Sequence, residues 1–454
     1  MLPIVTPVEM RAVDLSVAHQ VDTYIERAGS AVARAAIRMM GGTYGRTVHV
    51  IAGKGNNGAD GRVAARLLDA RGVKVRVFEA NACPAELPFA DLVIDAAYGT
   101  GFHGSWQPPE VGGALVLAVD LPSGVNALTG GAEGPVLAAN RTVTFQALKP
   151  GLLLPPGSEL AGELEVADIG LGERVAAHAH AHLVQPADVA EWLPMRGRSA
   201  HKWRAALRIV AGNGGMMGAA ALASRAATRV GAGMVLLSGI GGLVTEAPVE
   251  VVQRPLMDPM WARGLVHSLD RFHALVIGPG IGRDDDTAAQ ARSAVLDAAV
   301  PAVIDGDGLF AMAWNAEGAG ALLRRRTRPT VLTPHDGEYT LLTGAPPAAD
   351  RFVAARRLAN DTGCVVLLKG PATVVADPDG RVLVVTAGDE RLATAGTGDV
   401  LAGIIGGLLA QGADAFHAAA AGAWLHGMAA RRAAPFGLVA GDIADHLPEV
   451  LEGL

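Results

Sequence analysis

Short runs of β-branched and aliphatic residues alternate along this chain with glycine-rich loops and with longer stretches whose apolar residues recur at helical spacing. From Val8 to Met40 that spacing predicts one or two helices, stopped by the Gly41-Gly42 pair. Thr47 to Ala52 (TVHVIA) is a strand run that breaks at Gly53-Lys54-Gly55-Asn56-Asn57-Gly58-Ala59-Asp60-Gly61, and Arg62 to Ala70 then reads as a helix. Strand, glycine loop and helix in that order form the repeating unit of a parallel sheet. Further strands at Lys74 to Phe78, Leu92 to Asp95 and Leu115 to Asp120 each lead into a polar loop, which predicts a doubly wound sheet.

Between Leu152 and Pro194 the pattern changes. Pro155-Pro156-Gly157 precedes a short acidic stretch, and His178, His180 and His182 then occupy alternate positions. On a strand they would share a face. With no acidic or thiolate residue beside them we read a solvated strand near a domain boundary rather than a metal site. Strand, loop and helix then resume. Leu207 to Ala211 leads into Gly212-Asn213-Gly214-Gly215 and an alanine-rich helix from Ala219. Strands at Ala274 to Ile277, Ala302 to Ile304, Thr330 to Thr333 and Val365 to Leu368 follow, each ending in a loop of functional type. The pattern predicts two α/β domains, residues 1–187 and 188–454.

Composition narrows the class. A chain of 454 residues, half of them hydrophobic and rich in glycine but poor in aromatics, suits α/β domains with many tight turns. A net charge of −7 argues against a general nucleic-acid binder. Cys83 and Cys364 are far apart and form no zinc pattern, so a reducing, cytoplasmic setting is expected. Acidic residues interrupt the N-terminus before any signal-type apolar region. Asp414, His417 and His426 break the longest apolar run near the C-terminus, so no membrane span is expected.

The strongest candidate for chemistry is Arg391 to Gly412, RLATAGTGDVLAGIIGGLLAQG. Gly396, Thr397 and Gly398 let the backbone approach an anion at the start of a helix, where free N–H groups and the helix dipole favour negative charge. A carboxylate beside that site, Asp399, repels phosphate and is better suited to taking a proton; the plainer alternative is a helix N-cap. Lys369 after its strand can balance a phosphate or be a surface lysine, and His335 can orient a substrate or be structural. In the first domain the loops carrying Asn56, Asn57 and Asp60, Asp95, and Asp120 with Ser123 should converge, and their oxygens suit a hard cation. The first loop is not the dinucleotide GxGxxG fingerprint, and no GxxxxGK[ST] occurs.

The motifs AGKGNNGADGRVAARLL, DAAYGTGFHG, AVDLPSGVNA and TFQALKPG, in that order, resemble the YjeF N-terminal family, the NAD(P)H-hydrate epimerases. The resemblance implies a Rossmann-like domain that interconverts the R and S forms of NADHX and NADPHX with a potassium ion held by Asn57, Asp95 and Ser123. Asn56, Asn57, Gly58, Ala59 and Asp60, together with Gly99, Thr100, Gly101, Phe102, His103, Gly104 and Ser105, would line the substrate. Asp120 would contact it as the acid-base group. Ala59 stands where the family usually has glycine, which would strain the loop if that position needs a positive φ.

AGNGGMMGAAALASRAATRVGAGMV, VIGPGIG, IDGDGL, LTPHDGE, LLKGPAT and LATAGTGDVLAGIIGGLLAQG resemble the YjeF C-terminal family, dehydratases of ribokinase-like fold. That resemblance implies dehydration of S-NADHX or S-NADPHX at the expense of an adenine nucleotide, with ADP expected from the fused architecture and magnesium on its phosphates. Ala219, Gly280 and His335 would contact the hydrated cofactor. Lys369, Gly370, Pro371, Ala372, Thr373, Gly396, Thr397 and Gly398 would bind the nucleotide, and Asp399 would act as base. A homo-oligomer is the expected assembly. A vitamin-type kinase fused to a ligand-binding domain is the alternative reading, because the glycine-loop aspartate also serves sugar and vitamin phosphorylation in that fold.

Overall fold

The computed structural model describes every residue except His103, Arg196 and Ser199. The chain divides into two compact units, Leu2–Ala181 and His182–Leu454.

The first unit is built on a six-stranded parallel sheet in the order Lys74–Glu79, Thr47–Ala52, Leu92–Ala96, Leu115–Val119, Arg141–Phe145, Glu163–Ala167. Leu92–Ala96 is buried along its whole length: Leu92, Ile94 and Ala96 pack with helices Val21–Met40 and Asn56–Asp69, and Val93 on the other face packs with Phe78, Leu87 and Trp106. Chain order reverses between Thr47–Ala52 and Leu92–Ala96, and that switch point opens a crevice at their carboxyl ends. Two helices precede the sheet. Pro7–Ser16 starts with Pro7 and a Thr6/Glu9 capping box, and Val21–Met40 stops at Gly41 with φ 67°.

The glycine loop is shorter than its sequence suggests, because the next helix begins at Asn56 and runs to Asp69. Ala59 therefore lies in the first helical turn and needs no positive φ, so the expected strain does not arise. Glycine matters at its neighbour instead: a Cβ on Gly58 would fall 1.9 Å from the Gly53 carbonyl oxygen.

In the second unit the strands from Ala206 onward lie in the order Val382–Val385, Thr373–Ala376, Val365–Leu368, Thr330–Leu332, Ala302–Ile304, Ala274–Ile277, Ala206–Val210, Met234–Ser238, Val252–Gln253. Thr373–Ala376 runs antiparallel to both of its neighbours, and the remaining pairings are parallel. All the expected strands are present, and the pattern missed Met234–Ser238, Val252–Gln253, Thr373–Ala376 and Val382–Val385.

Helix Thr397–Ala410 is buried almost throughout and lies close against Met217–Arg229. Glycines allow this approach: a Cβ on Gly403 would sit 2.1 Å from the Ala223 carbonyl oxygen, and one on Gly407 2.4 Å from Val230. Ahead of this sheet, the strand Ala181–Leu183 starts too late to put all three alternate histidines on one face, since His178 and His180 precede it. Among the described residues no helix is long and apolar enough to cross a membrane.

Candidate functional site

A cavity of about 800 Å³ lies at the switch point of the first unit. Of the residues expected to line a substrate, Asn56, Asn57, Asp60, Gly99, Thr100, Gly101, Phe102 and Ser105 do so, as does Asp120. Gly58, Ala59 and Gly104 are not among its lining residues, and His103 lies outside the described residues. The wall is partly aromatic, with the Tyr98 ring 4.5 Å from Phe102 and 5.7 Å from Trp106.

Asp95 and Ser123 do not line the cavity and are fully buried. The Ser123 hydroxyl donates to Asp95 at 2.6 Å, and the backbone N–H groups of Ser123 and Ala97 donate to the same carboxylate. No cation is paired with Asp95 among the described residues, and burial pushes its carboxyl above the usual range. Asn57, its side chain packed 3.4 Å from where a Cβ on Gly99 would sit, keeps both side-chain polar atoms buried without a hydrogen-bond partner.

Asp120 ends the strand Leu115–Val119 with φ 67°, a left-handed conformation that few non-glycine residues adopt. Its carboxylate accepts from Lys149 Nζ at 2.5 Å and from Thr144 Oγ1 at 3.0 Å. Lys149 is almost wholly buried. Sequence reasoning gave it no role, although it sits in the quoted TFQALKPG motif. Asp14, on the helix Pro7–Ser16, also lines the cavity, and the sequence had shown it only as an acidic residue near the N-terminus. Burial raises the Asp14 carboxyl, with Lys149 opposing. Burial and the neighbouring charges of Asp120 and Asp14 push Asp60 up to about 8.

The second site forms where parallel strands of the other unit end side by side. Asp305 follows Ala302–Ile304, and its carboxylate accepts from Thr333 Oγ1 at 2.6 Å and from Lys369 Nζ at 2.8 Å. Glu338 Oε2 lies 3.8 Å from the same ammonium. Burial disfavours the charge on Lys369, but Asp305, Glu338 and Asp399 outweigh it and raise its pKa. Lys369 is therefore the positive centre of an acidic cluster and not a loose surface residue.

Gly396, with φ 89°, precedes helix Thr397–Ala410, and no side chain caps that helix, so Asp399 is not an N-cap. Asp399 stands in its first turn, where burial and then Asp305 drive its carboxyl up to about 7 while Lys369 pulls it down. A Cβ on Gly398 would lie 3.3 Å from Lys369 Nζ, so the glycine loop and the cation share one place. Asp307 accepts from Gly282 N and Arg283 Nε.

The remaining candidates lie in three places. Gly280, at φ 60°, leaves only 3.1 Å between a would-be Cβ and the Ala219 methyl, and Asn213 Nδ2 donates to the Ile281 carbonyl. These two loops are thereby tied together. His335 is exposed and caps helix Asp336–Thr343, its Nδ1 accepting from Gly337 N and Glu338 N. A ring nitrogen that accepts cannot carry the proton, so in the neutral ring the proton is on Nε2. Ala372 is buried and Thr373 opens a strand, whereas Gly370 is exposed beside Lys369. Asp305 and Glu338 were visible in their motifs, but only the ion pairs reveal their part in the site.

A cation and a carboxyl poised near neutrality, set at an uncapped helix start behind a glycine loop, define an α/β enzyme that handles phosphate. A family model for NAD(P)H-hydrate dehydratase matches residues 207–451, and one for the YjeF-related protein N-terminus matches residues 21–87 and 79–151. The chain is 37% identical over 497 residues to the bifunctional NAD(P)H-hydrate repair enzyme of Moorella thermoacetica, covering 95% of this chain and 92% of that protein. It is 36% identical to the enzyme of the same description from Coxiella burnetii, covering 88% and 89%. The second unit is similar to the Bacillus subtilis ADP/ATP-dependent NAD(P)H-hydrate dehydratase co-crystallised with ATP and magnesium, at TM-score 0.52 and 30% identity over 59% of this chain and 97% of that one. The chain belongs to the family of bifunctional NAD(P)H-hydrate repair enzymes.

Proposed function

We propose that the first unit epimerises the R and S forms of NADHX and NADPHX, and that the second dehydrates the S form to NADH or NADPH at the expense of an adenine nucleotide. The observation that carries this reading is the placement of Asp399 beside Lys369 at the glycine-flanked start of an uncapped helix.

The ring hydroxyl is a poor leaving group. Asp399 takes its proton while the oxygen attacks the terminal phosphorus of the nucleotide; with ADP, AMP departs. The backbone amides from Gly396 to Gly398 and the Lys369 ammonium stabilise the charge on the transferring group. Phosphate then leaves the ring carbon, and loss of a proton from the adjoining carbon restores the double bond. Asp305 is engaged by Lys369 and Asp307 by Arg283, so a magnesium ion would be held chiefly by nucleotide phosphates, as is usual for that ion. It would neutralise phosphate charge. ADP is the nucleotide we favour.

In the first unit the buried Asp95 carboxylate without a cation, the Ser123 hydroxyl and the unpartnered Asn57 amide oxygen fit a hard monovalent cation such as potassium. It would offset buried negative charge behind the cavity. Asp120 is the acid-base group for reversible opening at the hydroxyl-bearing ring carbon, and Asn56 and the Gly99–Phe102 loop position the ring.

The test is to follow an R/S mixture of NADHX with ADP, with ATP and with no nucleotide. Full conversion to NADH with ADP is expected, and only the S half should be consumed when epimerisation is disabled. Phosphorylation of a vitamin alcohol with no action on NADHX would instead establish the kinase reading.

A further inference from the structure

The first cavity contains more ionisable groups than one acid-base residue requires. Four elements supply them: Asp14 from helix Pro7–Ser16, Asp60 from helix Asn56–Asp69, Asp120 from the end of strand Leu115–Val119, and Lys149 from beyond strand Arg141–Phe145. Asp120 is ion-paired to Lys149. Asp60 is only 6% exposed, and its carboxyl has neither a hydrogen bond nor an ion pair among the described residues. Lys54, Tyr24 and Tyr98 are the other ionisable groups on the cavity wall. A buried carboxyl left without a donor, next to two others and one already committed lysine, is most stable with its proton on.

We propose that the cavity works with two carboxyl groups in opposite protonation states, Asp60 as proton donor and Asp120 as proton acceptor, and that Asp14 adds its charge to burial and to Asp120 in keeping the proton on Asp60. This rests on the epimerase reading above. The reacting carbon bears both the hydroxyl and the ring nitrogen. Asp60 protonates the hydroxyl, the carbon–oxygen bond breaks, water leaves, and the nitrogen lone pair forms a carbon–nitrogen double bond. A water adds to the other face of that carbon and gives its proton to Asp120. The sum is inversion at one carbon, with one water lost, one gained, and one proton moved from Asp60 to Asp120. The reverse direction exchanges the two roles, and proton exchange with solvent resets the pair. Asp14 touches neither reacting atom and is a positioning residue, acting through its charge on Asp60.

The experiment uses the full chain without adenine nucleotide, so that only epimerisation is read, starting from pure R-NADHX and subtracting conversion without protein. The wild-type rate should fall on the alkaline side as Asp60 loses its proton near pH 8. Asp60→Asn should lose about 100-fold or more in kcat while still binding R-NADHX. Asp14→Asn should move the alkaline limb to lower pH, because removing a like charge eases the ionisation of Asp60; a purely structural role would leave that limb in place. Wild-type conversion by Asp60→Asn, or an alkaline limb unmoved in Asp14→Asn, would overturn the proposal. Wild-type protein that fails to convert R to S at any pH would overturn the epimerase reading beneath it.

Discussion

The Lys149 ammonium lies 2.5 Å from the Asp120 carboxylate inside the first unit, and the residue that holds the carboxylate does so with φ 67°. Removing the lysine strands a largely buried charge. Lys149→Met should therefore lose on the order of 3–5 kcal/mol of stability, measured by urea unfolding, along with epimerase activity. Asp120→Asn should behave differently. Asparagine tolerates the left-handed backbone and still accepts from Lys149, so the turn is kept, but the buried ammonium loses its counter-charge: the variant should be less stable than wild type while R-to-S conversion drops by about 100-fold or more.

Dehydration should depend on pH through Asp399. A base works only when ionised, so kcat/KM for S-NADHX should rise with pH and reach half its plateau near 7, where burial and Asp305 place that carboxyl. Asp399→Asn should abolish the rise and cost about 100-fold or more. An Asn variant with the wild-type rate would remove the proposed base.

In the proposed mechanism Lys369 both lowers Asp399 and contacts phosphate, and one substitution reads both. Lys369→Met withdraws the positive charge that lowers Asp399, so the alkaline rise should move to higher pH. It also removes a charge-assisted contact to phosphate worth about 1.5–3 kcal/mol, so the KM for ADP should increase about 10- to 100-fold. Steady-state kinetics across the neutral range read both effects.

Arg208 is a buried cost that belongs to neither set of site residues. It is 1% exposed in the strand Ala206–Val210, donates once to Ser238 Oγ, and leaves Nε and Nη1 without partners. Burial, with Arg254 adding to it, lowers its pKa to about 10. A base whose folded pKa is depressed disfavours the folded state at every pH below that value, because the guanidinium must stay charged or give up its proton. Arg208→Met should therefore raise Tm at neutral pH, with a gain of about 1–4 kcal/mol. A lower Tm in the variant would contradict this account.

The chain pattern reveals most of the architecture because parallel strands buried on both faces are compact apolar runs, and glycine loops punctuate them. Thr47–Ala52 and Val365–Leu368 are legible for that reason. Val252–Gln253 spans two residues and is too short to carry a pattern. The start of helix Asn56–Asp69 was misjudged because two asparagines and two glycines read as loop, although the glycines there permit close approach to neighbouring backbone and side chains. In the sites, motif residues such as Asp399 and Asp120 stand out locally. Asp14, Asp305 and Lys149 acquire their significance only from partners far away in the chain, as in the pairing of Lys369 with Asp305. Spacing along a sequence does not encode such pairings.

The backbone at Asp120 also restricts what can replace it. A left-handed position readily admits glycine, asparagine or aspartate and penalises almost everything else. Only aspartate among these can exchange a proton. A descendant of this chain that stopped inverting hydrated cofactors could thus drift there to asparagine or glycine without backbone strain once Lys149, the buried cation it neutralises, had changed too, and that pair of positions would record the loss in the sequence.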